Sequence, residues 1–190
     1  MNGYHFNLCT KIIDLLAQNP SLVALRYAHR NYTFSDLCEI ALQWIDQFEK
    51  LGLNNPMAVA IKSDKSAEAY SALLACNIMG ITYAHLDPAS PLERENLMIS
   101  KLQPSVIINF FTKEIYESSN KKSFQFEIKN RKNFLGNAKI RKVCLKYRNC
   151  AHGDTTAYVM FTSGSTSTSL LEVLLSNSTD HWPVWKRDDS

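Results

Sequence analysis

The sequence predicts an α/β fold, and three stretches carry that prediction. A continuous apolar run over Met57–Ile61, a helix-period pattern from Ala67 to Ile78 and a second run over Ile81–Leu86 follow one another. Strand, helix and strand in this order imply a parallel pair joined by a right-handed crossover. A third β-rich run, Asp154–Phe161, passes straight into Thr162-Ser163-Gly164-Ser165-Thr166. Small hydroxyl residues and a glycine at a strand end present backbone N–H groups to phosphate. The hydroxyls add donors, and Gly164 lets the backbone approach a ligand closely. The same composition makes ordinary loops, so residue chemistry alone leaves both readings open.

At 190 residues the chain fits one domain with a sizeable core. Its 45% hydrophobic and 21% charged residues place it among globular proteins. A net charge of +3 is too small to imply a polyanionic partner. Cys9, Cys38, Cys76, Cys144 and Cys150 are odd in number and form no CxxC pair. They read as free thiols in a reducing compartment, not as a disulfide framework or zinc site. The N-terminus shows no apolar h-region with a cleavage site. The longest apolar stretch, 69–86, is interrupted by Ser71, Asn77, Gly80 and His85 and reads as a buried helix followed by a buried strand. The expectation is a soluble, cytoplasmic protein with no membrane partner.

Taken in order, residues 7–18 place Leu8, Ile12, Leu15 and Leu16 at helical spacing, and Asn19-Pro20 ends the helix. Leu22–Tyr27 reads as a strand, His29-Arg30-Asn31 as a turn and Asn31–Phe34 as the returning strand. Ser35 is the expected N-cap of a helix with the apolar stripe Leu37, Ile40, Ala41, Trp44, Ile45 and Phe48. Asp36 is a first-turn acid favoured by the helix dipole, and Gly52 stands where a C′ glycine belongs. Ser63 or Asp64 opens the next helix, whose apolar face is Ala67, Tyr70, Leu73, Leu74 and Ile78, and Gly80 closes it. Asp87-Pro88 turns the chain, Pro91 starts a helix, and Arg94 is expected to pair with a carboxylate or carbonyl. His85, with no second ligand at metal spacing, reads as a satisfied core or rim residue. Ser105–Phe110 is a further strand.

From Lys113 to Arg148 basic residues far outnumber acids, with Tyr116, Phe124, Phe126, Phe134 and Tyr147 interleaved. Such a stretch could bind nucleic acid electrostatically. It carries no RNP, KH or zinc-finger pattern, and it is read as a solvated variable region of short strands. Thr179–Ser190 lacks periodicity and reads as a tail.

Ala157-Tyr158-Val159-Met160-Phe161-Thr162-Ser163-Gly164-Ser165-Thr166 resembles the phosphate-binding signature of the adenylate-forming superfamily. That group includes acyl-CoA synthetases, luciferases and the adenylation domains of nonribosomal peptide synthetases. Its signature continues through a second glycine, a residue of any type and Pro-Lys-Gly. Here Ser167, Thr168, Ser169, Leu170 and Leu171 follow, so the glycine, proline and lysine are absent and Leu170 stands at the lysine's place in the simplest alignment. Ala75–Arg94 is similar to the adenylation-domain pattern Ala-Tyr-x-Pro-Leu-Asp-Pro followed by Pro-x-Glu-Arg, with His85 where the family often has proline. The Asp87-Pro88 and Pro91-Leu92-Glu93-Arg94 elements favour the peptide-synthetase branch. Tyr32–Leu37 resembles the Leu-Thr-Tyr-x-Glu-Leu stretch near the start of these enzymes, and Val173–Asn177 resembles the segment after the loop.

The resemblance implies the N-terminal part of the large adenylate-forming domain over residues 1–166, with a basic variable segment at 113–150 and a divergent ending at 167–190. It implies ATP-dependent activation of a carboxylate, specifically an amino acid, which is passed on to a carrier thiol. Thr162, Ser163, Gly164, Ser165 and Thr166 would cradle the β- and γ-phosphates, with Mg²⁺ bridging them. No catalytic or metal-ligating residue is assigned. The family's adenine, ribose and substrate motifs and the lysine of its small domain have no counterpart here. A chain inactive by itself, with an incomplete core, apolar edges and poor solubility, is therefore expected. The alternative is a non-catalytic protein that retains phosphate binding or serves as an interaction module.

Overall fold

The computed structural model describes residues 8–128, 136–151, 155–163, 170–176 and 185–186. Its centre is the predicted crossover. Strand β3 (Ala58–Lys62), helix α3 (Ala67–Met79) and strand β4 (Thr82–Leu86) form a parallel βαβ unit with Ala58 opposite Thr82 and Lys62 opposite Leu86. Helix α4 (Leu92–Leu102) returns the chain to β5 (Val106–Asn109), which pairs in parallel with the other side of β3. The chain then folds back twice, through β6 (Glu114–Glu117) and β7 (Lys122–Gln125), both antiparallel. On the opposite side β8 (Thr156–Ser163) joins β4 in parallel, followed by antiparallel β9 (Leu170–Ser176) and β10 (Trp185–Lys186). The eight-stranded order is β10-β9-β8-β4-β3-β5-β6-β7.

One face of the central strands is covered by helix α2 (Phe34–Lys50) and α3. Trp44 of α2 is fully buried; its indole N–H donates to the Glu68 carbonyl at 3.0 Å, and its ring packs on Phe48, Phe110 and Phe126. The other face carries a smaller cluster of Ala60, Ala84, Leu86, Val159 and Phe161 with Met98 of α4. Helix α1 (Leu8–Gln18) and helix α5 (Gly136–Tyr147) pack on each other and on α2. Strands β1 (Val23–Tyr27) and β2 (Arg30–Thr33) form a separate hairpin.

Several local expectations shift, each for a physical reason. The hairpin turns at Ala28 and His29, both with positive φ, one residue earlier than expected, so β2 starts at Arg30. Phe34 belongs to α2, and the N-cap is Thr33, not Ser35. Thr33 Oγ1 accepts from the Asp36 N–H at 3.1 Å while the Asp36 carboxylate accepts from the Thr33 N–H at 2.7 Å, a reciprocal capping box. Ser35 instead donates to the Pro20 carbonyl. Ser66, not Ser63 or Asp64, caps α3; Asp64 sits in the turn before it and accepts from the Ser66 N–H. The face of α3 is also broader than predicted. Ala67 and Ile78 are buried, but so are Ala69, Ser71, Ala72, Ala75, Cys76 and Met79, while Tyr70 is exposed. A helix enclosed by both a neighbour and a sheet buries more than one stripe.

Gly80 ends α3 with φ +69, and a Cβ there would collide with the Cys150 carbonyl. Only glycine meets both demands. The basic stretch contains the expected short strands and, in addition, α5, which its sequence pattern does not announce. Its aromatics Phe126 and Tyr147 are buried and Phe124 is half-buried, so they serve the core. Phe134 lies outside the described residues. At the β7 edge of the sheet Lys122, Ser123 and Gln125 are exposed and polar. Within the stretch read as a tail, Trp185-Lys186 pairs with Glu172-Val173; the rest of Thr179–Ser190 lies outside the described residues. Cys38, Cys76, Cys144 and Cys150 are free thiols, as expected. Burial pushes Cys38 up to about 12 and raises Cys76 as well, which keeps both protonated and unreactive.

Candidate nucleotide-phosphate site

The predicted cradle begins as a strand. Along β8, Val159 and Phe161 turn into the core on the α4 side, while Tyr158 is half-buried and Met160 exposed on the other. This alternation fixes the register against β4, with Tyr83 opposite Tyr158 and Ala84 opposite Val159. The Thr82 hydroxyl pins the start of β8 by donating to the Thr156 carbonyl at 2.8 Å. The strand runs on through Thr162 and Ser163, which pair with Leu171 and Leu170 of β9. Part of their backbone is thereby committed to the sheet. Gly164, Ser165 and Thr166 lie outside the described residues.

The end of β8 lies alongside the carboxyl end of β4, where Asp87 forms a tight turn. Its carboxylate accepts from the Ala89 N–H at 2.9 Å and its carbonyl from the Ser90 N–H at 3.0 Å. Pro91 then caps α4, as the sequence indicates. Arg94, expected to pair, has its Nε buried without a hydrogen-bond partner among the described residues. The ion pair nearby is instead Lys62 Nζ to Glu95 Oε2 at 2.6 Å, which ties the end of β3 to α4. On the opposite face Ser63 Oγ lies 3.2 Å from His85 Nε2, so His85 is the satisfied rim residue expected. These two pairs span 33 and 22 positions of sequence, so no local signal marks them.

The donor set at the end of β8, hydroxyls and backbone N–H groups, suits phosphate oxygens. Among the described residues no group of three or more His, Cys, Asp or Glu could hold a metal ion. No helix among the described residues is long and apolar enough to cross a membrane.

A parallel-rich sheet with helices on both faces defines an α/β class. The family model described as AMP-binding enzyme matches residues 14–169. The chain belongs to this adenylate-forming family. Its relatives include the nonribosomal peptide synthetase sidC of Arthroderma benhamiae, 24% identical over 159 residues. A nonribosomal peptide synthetase of Pyrenophora dematioidea is 25% identical over 154 residues. Each alignment covers 80% of this chain, but only 3% and 12% of the respective synthetases. In structure the chain is similar to the Vibrio cholerae adenylation domain AlmE, solved with glycyl-adenosine-5'-phosphate. The TM-score is 0.68 at 19% identity, over 93% of this chain and 36% of that one. It is similar too to the Klebsiella oxytoca NpsA N-terminal subdomain, with a TM-score of 0.64 at 19% identity, over 93% and 43% of the two chains.

Proposed function

We propose that this chain supplies the phosphate-holding part of a ligase that activates an amino acid with ATP. The observation that supports the reading is the placement of β8. It is parallel to β4 and brings Thr162 and Ser163 to the carboxyl end of the parallel strands, where open α/β sheets bind their ligands. In the reaction a carboxylate oxygen attacks the α-phosphorus, pyrophosphate leaves, and the acyl-adenylate passes its acyl group to a carrier thiol. Thr162, Ser163, Gly164, Ser165 and Thr166 hold the β- and γ-phosphates in line for that attack. Mg²⁺ bound with the nucleotide offsets phosphate charge. The amino-acid preference is supported by the peptide synthetases among the relatives and by the glycyl-adenylate in the AlmE structure. In this reading residues 1–166 form the nucleotide-holding unit, 113–150 its variable segment and 167–190 a divergent ending. Its free buried thiols suit a cytoplasmic setting.

A second reading rests on Leu170. This residue stands where the family signature has lysine, and it is paired with Ser163 as the first residue of β9. A chain so built holds phosphate without the cation that would stabilise charge in transfer. Amino-acid-dependent ATP–pyrophosphate exchange tests the first reading, alongside a Mg-ATP titration followed by calorimetry. Exchange above background supports the ligase. Saturable Mg-ATP binding without exchange, lost in Ser163→Ala, supports the phosphate-holding module. No binding at millimolar nucleotide sinks both.

A further inference from the structure

We propose that the cavity between α3 and the β4–β8 pair is a separate ligand site for a single-ring aromatic carboxylate. The cavity measures about 240 Å³, and Tyr70, Leu73, Tyr83, Tyr158, Ser63 and Lys65 are among the residues that line it. Sites for drug-sized ligands run to ~300–1,000 Å³, so this one admits one ring and excludes a nucleotide. It opens on the face of the sheet opposite the Lys62–Glu95 pair, and among the described residues neither Thr162 nor Ser163 lines it.

Its walls are aromatic. Tyr83 and Tyr158 face each other across the parallel ladder with ring centroids 5.1 Å apart and planes tilted by 39°. Burial raises both phenols above their ordinary range. Tyr70 and Leu73 of α3 close the second side, with Tyr70 partly exposed at the opening. A flat aromatic body gains offset or edge contacts from such a pair that a saturated ring does not.

The polar groups are few and converge. Ser63 is buried, and its hydroxyl and the His85 imidazole satisfy each other once. A hydroxyl has one donor, so with the proton on His85 Nε2 the ring donates to Ser63 Oγ and the Ser63 O–H is left to donate to a ligand oxygen. Lys65 stands at the rim, exposed, with no carboxylate partner among the described residues. It adopts φ +65, a left-handed conformation that a lysine rarely takes. Non-glycine residues in this region gather at ligand sites, where the surrounding structure holds them. One ammonium and one hydroxyl match a carboxylate, and they are too few for a di- or triphosphate.

The test is a titration of the ¹⁵N-labelled chain with benzoate, cyclohexanecarboxylate and benzyl alcohol, followed by amide shifts. Benzoate should give saturable shifts confined to residues 63–73, 83–85 and 158, unchanged by added Mg-ATP. Cyclohexanecarboxylate and benzyl alcohol should each bind at least ~tenfold more weakly, the loss of one ring-face contact set or one charge-assisted hydrogen bond. Lys65→Asn, which tolerates the left-handed backbone, should weaken benzoate ~tenfold and leave benzyl alcohol unaffected. Absence of saturable shifts at millimolar benzoate overturns the site. So does equal binding of all three probes, undiminished affinity in Lys65→Asn, or competition by Mg-ATP.

Discussion

The β3–α3–β4 unit and the β8–β9 end of the same sheet are built to different standards. In the first, Val59, Ala60, Ile61 and Ala84 have no solvent exposure, because helices cover both faces of the strands. In the second, among the described residues, Val159 and Phe161 of β8 are buried, while on its other side Tyr158 is half-buried against Tyr83 and Met160 is 42% exposed. The first region holds the fold. The second carries the hydroxyl-rich strand end on a less fully covered ladder. A site that must admit phosphate gains from being attached to a rigid unit without being enclosed by it.

The sharpest way to break this comparison is Trp44→Ala. Removing a fully buried indole with three aromatic neighbours and a hydrogen bond to Glu68 should cost about 3–5 kcal/mol. Denaturant unfolding would read it, and loss of soluble protein is an equivalent result. Gly80→Ala comes next. The left-handed backbone alone costs about 1–2 kcal/mol and the collision with Cys150 adds to it, so about 2 kcal/mol or more is expected. Tyr158→Leu, on the half-buried side of β8, loses the ring contact with Tyr83 and should cost about 1–2 kcal/mol. If Tyr158→Leu destabilises as much as Trp44→Ala, the two regions form one cooperative core and the contrast fails.

The smallest effect is a pH dependence at the α2–α5 contact. Hydrogen bonds from Lys146 at 2.7 Å and from the Tyr147 hydroxyl at 2.5 Å hold the Glu49 carboxyl below its usual range. Burial and that carboxylate push Tyr147 up to about 12, so it remains a donor at neutral pH. A depressed carboxylate stabilises the fold above its unfolded pKa and loses that contribution as pH falls through its folded value. Glu49→Gln should therefore flatten the acid side of the stability profile. Because the pair is largely exposed, the change should be smaller than any of the three above. Unfolding midpoints of wild type and variant between pH 3 and 7 would check it.

The parallel crossover is legible in the sequence because both of its strands are buried on two faces and so appear as unbroken apolar runs. Helix α5 is not, because Lys139, Arg141, Lys142 and Lys146 dominate its sequence while only Ile140, Cys144 and Tyr147 are buried. The N-cap of α2 falls two residues before the expected Ser35, since Thr33 and Ser35 are equivalent by composition. The choice falls to Thr33 because Asp36 lies three positions on and can reciprocate. The partner expected for Arg94 Nε is not found among the described residues, and the ion pair beside it joins Lys62 to Glu95.

By itself the sequence determined the α/β class, the crossover, the glycine that ends α3 and the strand that leads to Thr162 and Ser163. These follow from periodicity, punctuation and local hydrogen bonding, which act over a few residues. Tertiary structure alone decided that Phe126 of the basic stretch packs on Trp44. It also decided that Lys62 meets Glu95, that Ser63 meets His85, and that Leu170 pairs with Ser163. Each of those outcomes depends on which strands become neighbours, and strand order is set by the packing of the whole chain.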